Sequence, residues 1–346
     1  MLTKEQIQEI REHLENSKNP VFFFDNDPDG LCSFILLQRY IGRGRGIAIK
    51  SNPGLELSYF KRVEELKADY IFVLDKPLID TYFIEKAKQA NIPLVHIDHH
   101  NVPVTPIPFY YSTFHTSGKN EPTSYLCYKV SEKKEDAWIA AIGCITDAYL
   151  PDFIDEIKNK YPDLLNYPYK TAFDIQYNTQ LGKMGMILSF GIKDKTSNVV
   201  LLMKFMMKVN NPWDLLEETA KTKQILHRFN EINEKYEKIL EKARKSIEGD
   251  ILFFTYSGDM SLSQYISNKL MYEFPKVVII AVYTKGNIAN VSLRWNKDIR
   301  TPTVNTVKEI EGATGGGHEN SCGARIPADK LDFFKEKLLE EIKKIK

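Results

Sequence analysis

The chain has 346 residues, 43% of them hydrophobic and 27% charged, which suits one large or two ordinary globular domains and excludes a disordered polymer. Lys and Arg number 47 against 46 Asp and Glu, so the net charge of +1 offers a polyanion no long-range attraction, and any phosphate binding must come from local groups or metal ions. Cys32, Cys127, Cys144 and Cys322 are widely spaced without a CxxC pair, which argues against a disulfide framework or a structural zinc site and predicts reduced, buried thiols.

Met1–Lys18 is too charged for a secretory leader, and the richest apolar stretch, Val199–Val209, is interrupted by Lys204 and Lys208. A cytoplasmic protein with no membrane partner is expected. Residues 3–17 read as an amphipathic helix carrying Ile7, Ile10 and Leu14 on one side. Pro20–Phe24 is a short apolar run of the kind that forms a buried parallel strand. A helix over 31–42, a strand over 46–49, a helix over 57–66, a strand over 70–74, a helix over 82–89 and a strand over 93–97 follow. This alternation predicts an α/β fold: a parallel-sheet catalytic domain with helices on both faces. Residues 155–245 read as mostly helical, and 215–247 as a long connecting helix or a broken pair. Strands over 251–256, 276–283 and 288–293 with helices over 263–272 and 329–345 make a smaller α/β unit. The domains expected are 1–210, a helical connector 211–247, and 248–346.

In open parallel sheets ligands bind beyond the carboxyl ends of the strands. The acidic residues fall there. Asp25-Asn26-Asp27-Pro28-Asp29-Gly30 follows the first strand, Asp75 the third, and Asp98-His99-His100 the fourth. Asp147 follows an apolar helical stretch that could return to the same rim. Carboxylates this close repel one another, and a divalent cation would keep them ionised. Each piece alone has a plainer explanation: an Asp after a strand is often a helix cap, and adjacent histidines often do no chemistry. An EF-hand loop would want Glu at its twelfth position, where Leu36 stands. Together the four clusters favour a metal centre, whose mixed carboxylate and imidazole ligation suits manganese or zinc better than calcium, with magnesium an alternative.

The series Asp25-x-Asp27-x-Asp29-Gly30, Asp75, Asp98-His99-His100 and Asp147 resembles the four motifs of the DHH phosphoesterases, and the triple-Asp opening is similar to the RecJ branch. The resemblance implies two divalent ions, manganese first and magnesium, cobalt or zinc as alternatives. Asp25, Asp29 and Asp75 would hold one ion; Asp27, His99 and Asp147 the other, with Asp75 bridging. Asp98 and His100 would stand behind these ligands or face the phosphate. Asp75, His99, His100 and His318 would be the catalytic set, without a serine or cysteine nucleophile.

The C-terminal part carries Ser292-Leu293-Arg294 at a strand end and then Gly315-Gly316-Gly317-His318. Glycines leave backbone N–H groups open to an anion, and Arg can hold phosphate in a fork. This pair of motifs resembles the DHH-associated domain, which implies Ser292, Arg294, Gly316, Gly317 and His318 as substrate binders across a cleft from the catalytic domain. Gly42-Arg43-Gly44-Arg45-Gly46 follows the helix over 31–42 on the side away from the strand ends and reads as a solvated turn. Lys50, Ser51 and Asn52 lie on the correct side to touch substrate. The expected activity is a RecJ-like exonuclease or oligonucleotidase acting on single-stranded DNA or RNA ends or short oligonucleotides, with replication or repair proteins as candidate partners. Alternatives are a small-molecule phosphatase or phosphodiesterase (nucleoside bisphosphate, cyclic dinucleotide, short RNA) and an inactive scaffold in a replication or repair complex.

Overall fold

The computed structural model describes residues 1–50 and 54–345. It divides into two compact units, Met1–Phe229 and Asn230–Lys346, and the division falls within one continuous helix.

The first unit is built on a five-stranded parallel sheet of β1 (Pro20–Asp25), β2 (Arg45–Ile49), β3 (Tyr70–Leu74), β4 (Leu94–Asp98) and β5 (Phe109–Ser112), in the order β2-β1-β3-β4-β5. Its helices are α1 (Lys4–Asn16), α2 (Pro28–Ile41), α3 (Phe60–Leu66), α4 (Thr81–Gln89), α5 (Thr113–Ser117), α6 (Thr123–Ser131), α7 (Ala137–Thr146), α8 (Ile154–Lys160), α9 (Ala172–Asn178), α10 (Gln180–Ile192) and α11 (Thr196–Met206), followed by α12 (Lys223–Arg244), which runs on into the second unit. Every residue of β1 is buried, because side chains on both of its faces are covered by helices. On one face Val21, Phe23, Ile71 and Val73 pack with Phe60 and Val63 of α3 and Phe83 of α4. On the other, Phe22 stacks on Phe72 at 5.0 Å and Phe24 on Phe34 of α2 at 5.2 Å between ring centres. The strand order reverses between β1 and β3. That is the topological switch point, where an open α/β sheet leaves a crevice beyond its strand ends.

Three features of this unit differ from expectation. The fifth strand, β5, is a four-residue edge element that follows Pro103, Pro106 and Pro108, so no run long enough to signal a strand precedes or contains it. The helix expected from Leu31 starts at Pro28: Asp27 caps it, and Pro28, which lacks an N–H, suits the first turn. Arg43 in the glycine–arginine turn is structural. Its guanidinium donates to the carbonyls of Leu14, Glu15, Ser17 and Ile41 and closes the end of α1. All four cysteines are free and buried.

The second unit has a six-stranded mixed sheet: β6 (Ile247–Glu248), β7 (Ile251–Ser257), β8 (Val278–Lys285), β9 (Ile288–Arg294), β10 (Thr314–His318) and β11 (Ser321–Pro327), in the order β10-β11-β9-β8-β7-β6. Alternation along β8 and β9 sends Val278, Ile280, Val282, Val291 and Leu293 into one core. There they meet Val307 of α14 (Arg300–Lys308) and Phe334, Leu338 and Ile342 of α15 (Leu331–Lys343). Helix α13 (Ser263–Glu273) buries Tyr265, Ile266 and Leu270. No helix among the described residues is long and apolar enough to cross a membrane.

One buried ion pair ties α2 to the segment before α7. Arg39 donates from Nε to Asp136 Oδ2 at 2.9 Å and pairs through Nη2 with Oδ1 at 2.7 Å, while Nη1 reaches the Val209 carbonyl at 2.6 Å. Asp136 is 1% exposed, so removing it strands a guanidinium among carbonyls. Asp136→Ala is expected to lower stability by about 3–5 kcal/mol; an unchanged urea midpoint for that variant would show the pair to be dispensable.

Candidate metal centre and phosphate-binding platform

The turn after β1 is set by packing. A Cβ on Gly30 would lie 2.6 Å from the Asp25 carbonyl oxygen, so only glycine lets the first turn of α2 sit on the strand end. Asp27 Oδ1 accepts from Gly30 N–H at 3.0 Å and caps α2. Asp29, 2% exposed, faces the start of α6: its oxygens accept from the Thr123 N–H at 2.8 Å, the Ser124 N–H at 2.9 Å, and the Ser124 hydroxyl. Unpaired amides at a helix N-terminus carry partial positive charge, so this carboxylate has protein donors of its own. Asp25 likewise meets a cation of the chain. Lys76, 1% exposed, places Nζ 2.9 Å from Asp25 Oδ1 and 2.8 Å from the Lys50 carbonyl.

Asp75 lies across the switch point from Asp25. Its backbone holds φ +56°, the left-handed region, while its N–H donates to the Ile97 carbonyl on β4 at 3.0 Å. It is 1% exposed, and burial, then the negative charges of Asp27, Asp29, Asp25 and Asp147, push its carboxyl well above the usual range. Burial and the neighbouring Asp27 raise Asp25 as well, against the pull of Lys76. Asp147 is pushed up to about 7, first by loss of water, with His99 opposing and Asp29 and Asp27 adding to the rise. Its side chain keeps 38% exposure, which screens part of that effect.

The two motif histidines differ in their partners. His99 sets Nε2 3.2 Å from Asp75 Oδ1, and Nδ1 3.8 Å from Asp147 Oδ2 and within hydrogen-bond reach of Asn120 Oδ1. In the tautomer that donates from Nδ1 to the Asn120 amide oxygen, Nε2 turns its lone pair toward a carboxylate oxygen. Two lone pairs at this separation repel unless a proton or a metal ion joins them. This is the geometry a metal ion would satisfy, with Asn120 orienting the imidazole from behind. His100 instead receives Asp98: Nδ1 lies 2.8 Å from Oδ1, and the His100 backbone N–H donates to Oδ2 at 3.0 Å. Burial alone would lower His100, but the Asp98 hydrogen bond and charge raise it to about 9. Burial alone would raise Asp98, and the hydrogen bond and charge of His100 outweigh that and hold it well below the usual carboxylate range. Asp75, His99 and His100 each offer one ligand atom, all within 4.8 Å of one another.

The structure thus brings Asp75, His99, His100 and Asp147 together, with Asp25, Asp27 and Asp29 acting on Asp75 through their charges. Of the residues placed near substrate after β2, Lys50 contributes its carbonyl to Lys76, whereas Ser51 and Asn52 lie outside the described residues. Sequence reasoning missed four participants. Lys76 stands beside Asp75, and a charge directly after a buried strand is the signal that could have found it. Asn120 and the Thr123-Ser124 pair carry no such signal, because their contacts with His99 and Asp29 span 21, 94 and 95 residues.

In the second unit, the glycine run forms an edge strand and not a loop: β10 pairs with β11 in antiparallel register. Gly317 holds φ +142°, a conformation other residues rarely adopt, and a Cβ there would meet the Cys322 backbone. Register aligns Ser292 with Gly323 and Gly316, and Arg294 with Ser321 and His318. Directly opposed residues share a face, so Ser292, Arg294 and His318 stand on one face around a floor of bare glycine backbone. Arg294, 7% exposed, donates from Nε to Asn268 Oδ1 at 2.6 Å and from Nη1 to the carbonyls of Leu293 and Cys322 at 2.8 and 3.2 Å. Ser292 bonds the Ser263 hydroxyl at 3.1 Å.

A parallel sheet with acidic residues at its switch point is followed by a mixed-sheet unit with a glycine edge, and known proteins share this arrangement. Residues 251–344 match the DHHA1 domain. The fold is similar to RecJ from Thermus thermophilus in complex with Mn2+, at 14% identity and a TM-score of 0.68, covering 96% of this chain and 53% of that one. It is similar to the DHH domain of a protein described as a member of a ribosomal-protein family, at 14% identity and a TM-score of 0.69, covering 98% and 90%. It is also similar to PggH, a pGpG-specific phosphodiesterase from Vibrio cholerae, at 11% identity and a TM-score of 0.51, covering 94% and 99%. This chain therefore spans about half the length of the Thermus RecJ. No curated protein sequence matches it significantly. Residues 251–344 thus form a DHHA1 domain, and the chain as a whole shares its fold with DHH-domain proteins and RecJ.

Asn120→Ala is expected to weaken manganese binding roughly 10–100-fold, as loss of a group behind a ligating histidine does, while leaving the fold intact. Calorimetric titration of the metal-free protein measures this, and unchanged affinity would remove Asn120 from the centre.

Proposed function

We propose that this protein is a divalent-metal-dependent phosphodiesterase of RecJ-like type that hydrolyses single-stranded or short nucleic acid ends to mononucleotides. The observation that carries the proposal is the meeting of His99 Nε2 and Asp75 Oδ1 at 3.2 Å, in a rim where four further carboxylates act on Asp75. Asp27, Asp75, His99 and Asp147 would hold a cation, manganese in the first instance. Such an ion, when bound, supplies positive charge against phosphate oxygens and makes water more acidic.

The chain's own residues do the rest. Asn120 fixes the ring of His99, and Thr123 donates its hydroxyl to Asp75 Oδ1 at 3.4 Å. His100, kept protonated by Asp98, can donate from Nε2 to a phosphate oxygen or a leaving group, since Nδ1 is committed to Asp98. In the second unit Ser292, Arg294, Gly316, Gly317 and His318 would bind the nucleotide, with Arg294 already oriented by three hydrogen bonds. Replication or repair proteins are the proposed partners of such an enzyme.

A second proposal is a dinucleotide phosphodiesterase. The observation favouring it is the fold likeness to the pGpG-specific phosphodiesterase, which extends over 94% of this chain at a TM-score of 0.51. An inactive scaffold is disfavoured, because a chain without metal chemistry has no reason to keep Asp75 and Asp147 among like charges.

The deciding assay is manganese-supplemented degradation of end-labelled DNA and RNA strands of several lengths beside pGpG. Processive release of mononucleotides from a ten-nucleotide strand supports the first proposal; turnover confined to the dinucleotide supports the second; no turnover of either refutes both. Asp75→Ala is expected to abolish hydrolysis, and near-normal turnover by that variant would remove Asp75 from the centre. His318→Ala is expected to lower kcat about 100-fold, as loss of one oriented donor does, at unchanged metal content. Loss of metal in that variant would make His318 a ligand instead of a phosphate donor.

A further inference from the structure

The surroundings of Asp25 bear on how many ions the centre holds. Asp25 ends β1 at 9% exposure, and its Oδ1 is held by Lys76 Nζ at 2.9 Å. Lys76 is 1% exposed, a degree of burial at which an ammonium persists only with close partners. It has them: the Asp25 carboxylate and, at 2.8 Å, the Lys50 carbonyl just beyond the end of β2. Its backbone is fixed too. The Lys76 carbonyl accepts from His96 Nε2 at 2.7 Å, and His96 Nδ1 in turn meets the Thr105 hydroxyl at 3.0 Å, with His96 itself wholly buried. A lysine on a surface turn would have none of this support.

We propose that the Lys76 ammonium stands in the place of a second divalent ion, so that this chain builds a one-ion centre on Asp27, Asp75, His99 and Asp147 and keeps Asp25 out of the ligand set. The inference rests on the metal-centre reading above but not on any particular substrate. Two arguments support it. Asp25 Oδ1 already faces a buried ammonium at 2.9 Å, and a divalent ion drawn to the same oxygen would stand beside a like charge. Asp29, the other carboxylate that a second ion would need, has its oxygens engaged by two amides and a hydroxyl of α6.

The test is metal stoichiometry, read independently of activity. The metal-free full chain is titrated with manganese by calorimetry and followed by electron paramagnetic resonance. One manganese per chain with the six-line spectrum of an isolated ion is expected. Two ions with an exchange-coupled spectrum would overturn the proposal. The paired variant Asp25→Asn with Lys76→Met removes both charges at similar volume and so leaves no stranded ion. It is expected to bind the same single manganese with an affinity within about threefold of the parent, and loss of an ion there would equally overturn the proposal. Lys76→Met alone frees Asp25, and a second ion is expected to appear in that variant at millimolar manganese; its absence would mean that the ammonium excludes nothing. Hydrolysis of bis(p-nitrophenyl) phosphate, measured alongside, separates the two ideas. An inactive protein with one bound ion refutes the enzyme reading alone, and an active protein with two refutes the one-ion centre alone.

Discussion

The first unit is organised around the placing of one carboxylate, Asp75, at the switch point of a parallel sheet and in a backbone conformation that most residues avoid. A non-glycine residue at φ +56° carries a local cost of about 1–3 kcal/mol, persisting only where the surroundings hold it. Those surroundings are identifiable. The Asp75 N–H continues the β3–β4 ladder to Ile97, and the next residue is gripped by His96 through its carbonyl and by Asp25 through its ammonium. The strand end is therefore clamped on both sides, by β4 and by β1. The left-handed turn between them leaves the Asp75 carboxylate among four others. Local strain and like-charge repulsion thus coincide at one position, the pattern by which functional sites are distinguished from well-satisfied cores.

The negative charge around Asp75 is compensated unevenly, and the unevenness locates the chemistry. Asp25 has a lysine, Asp29 has a helix N-terminus, and Asp98 has a protonated His100. Each of these carboxylates has a partner that folding itself supplies, although for Asp25 that partner offsets only part of the rise caused by burial and Asp27. Asp75 and Asp147 are not balanced in this way: both are raised, and the imidazole between them presents Nε2 to one at 3.2 Å and Nδ1 to the other at 3.8 Å. Uncompensated charge in a desolvated crevice is a demand for a cation. The demand is narrower than the number of acidic residues suggests, because Asp25, Asp29 and Asp98 belong to pairs already made.

Much of this is legible in the sequence, and the limit is sequence separation. The strands at 20–25, 70–74 and 94–98 announce themselves as apolar runs closed by acids, and the strand-end rule puts their carboxylates on one rim. Repulsion among those acids is legible too. What cannot be read is the identity of their partners. Asp29 meets Thr123 and Ser124 across 94 and 95 positions, and Lys76 meets Asp25 across 51. Such pairings depend on how α6 and the β3 turn pack, which no local pattern encodes. Edge elements escape for a different reason: β5 is too short, and β10 is made of residues that normally break strands.

The glycine edge of the second unit shows why that escape is informative. A strand of Thr-Gly-Gly-Gly-His has little intrinsic tendency to be a strand, and it is held by the whole length of its pairing with β11. What the glycines supply is access. Gly316 has no atom within 4 Å of where a side chain would begin, and its cross-strand neighbour Gly323 meets only the Val291 carbonyl at 3.7 Å. Backbone between Ser292 on one side and His318 on the other is therefore uncovered on the face they share. Arg294 enters that face with its guanidinium fixed by Asn268, Leu293 and Cys322, so little side-chain freedom remains to be lost when an anion docks. A flexible glycine loop would have to order itself on each encounter with substrate. A glycine strand in a sheet is ordered beforehand, and so its weak propensity is better understood as the counterpart of a rigid, open surface, as the proposed phosphate binding would need, than as an irregularity of the fold.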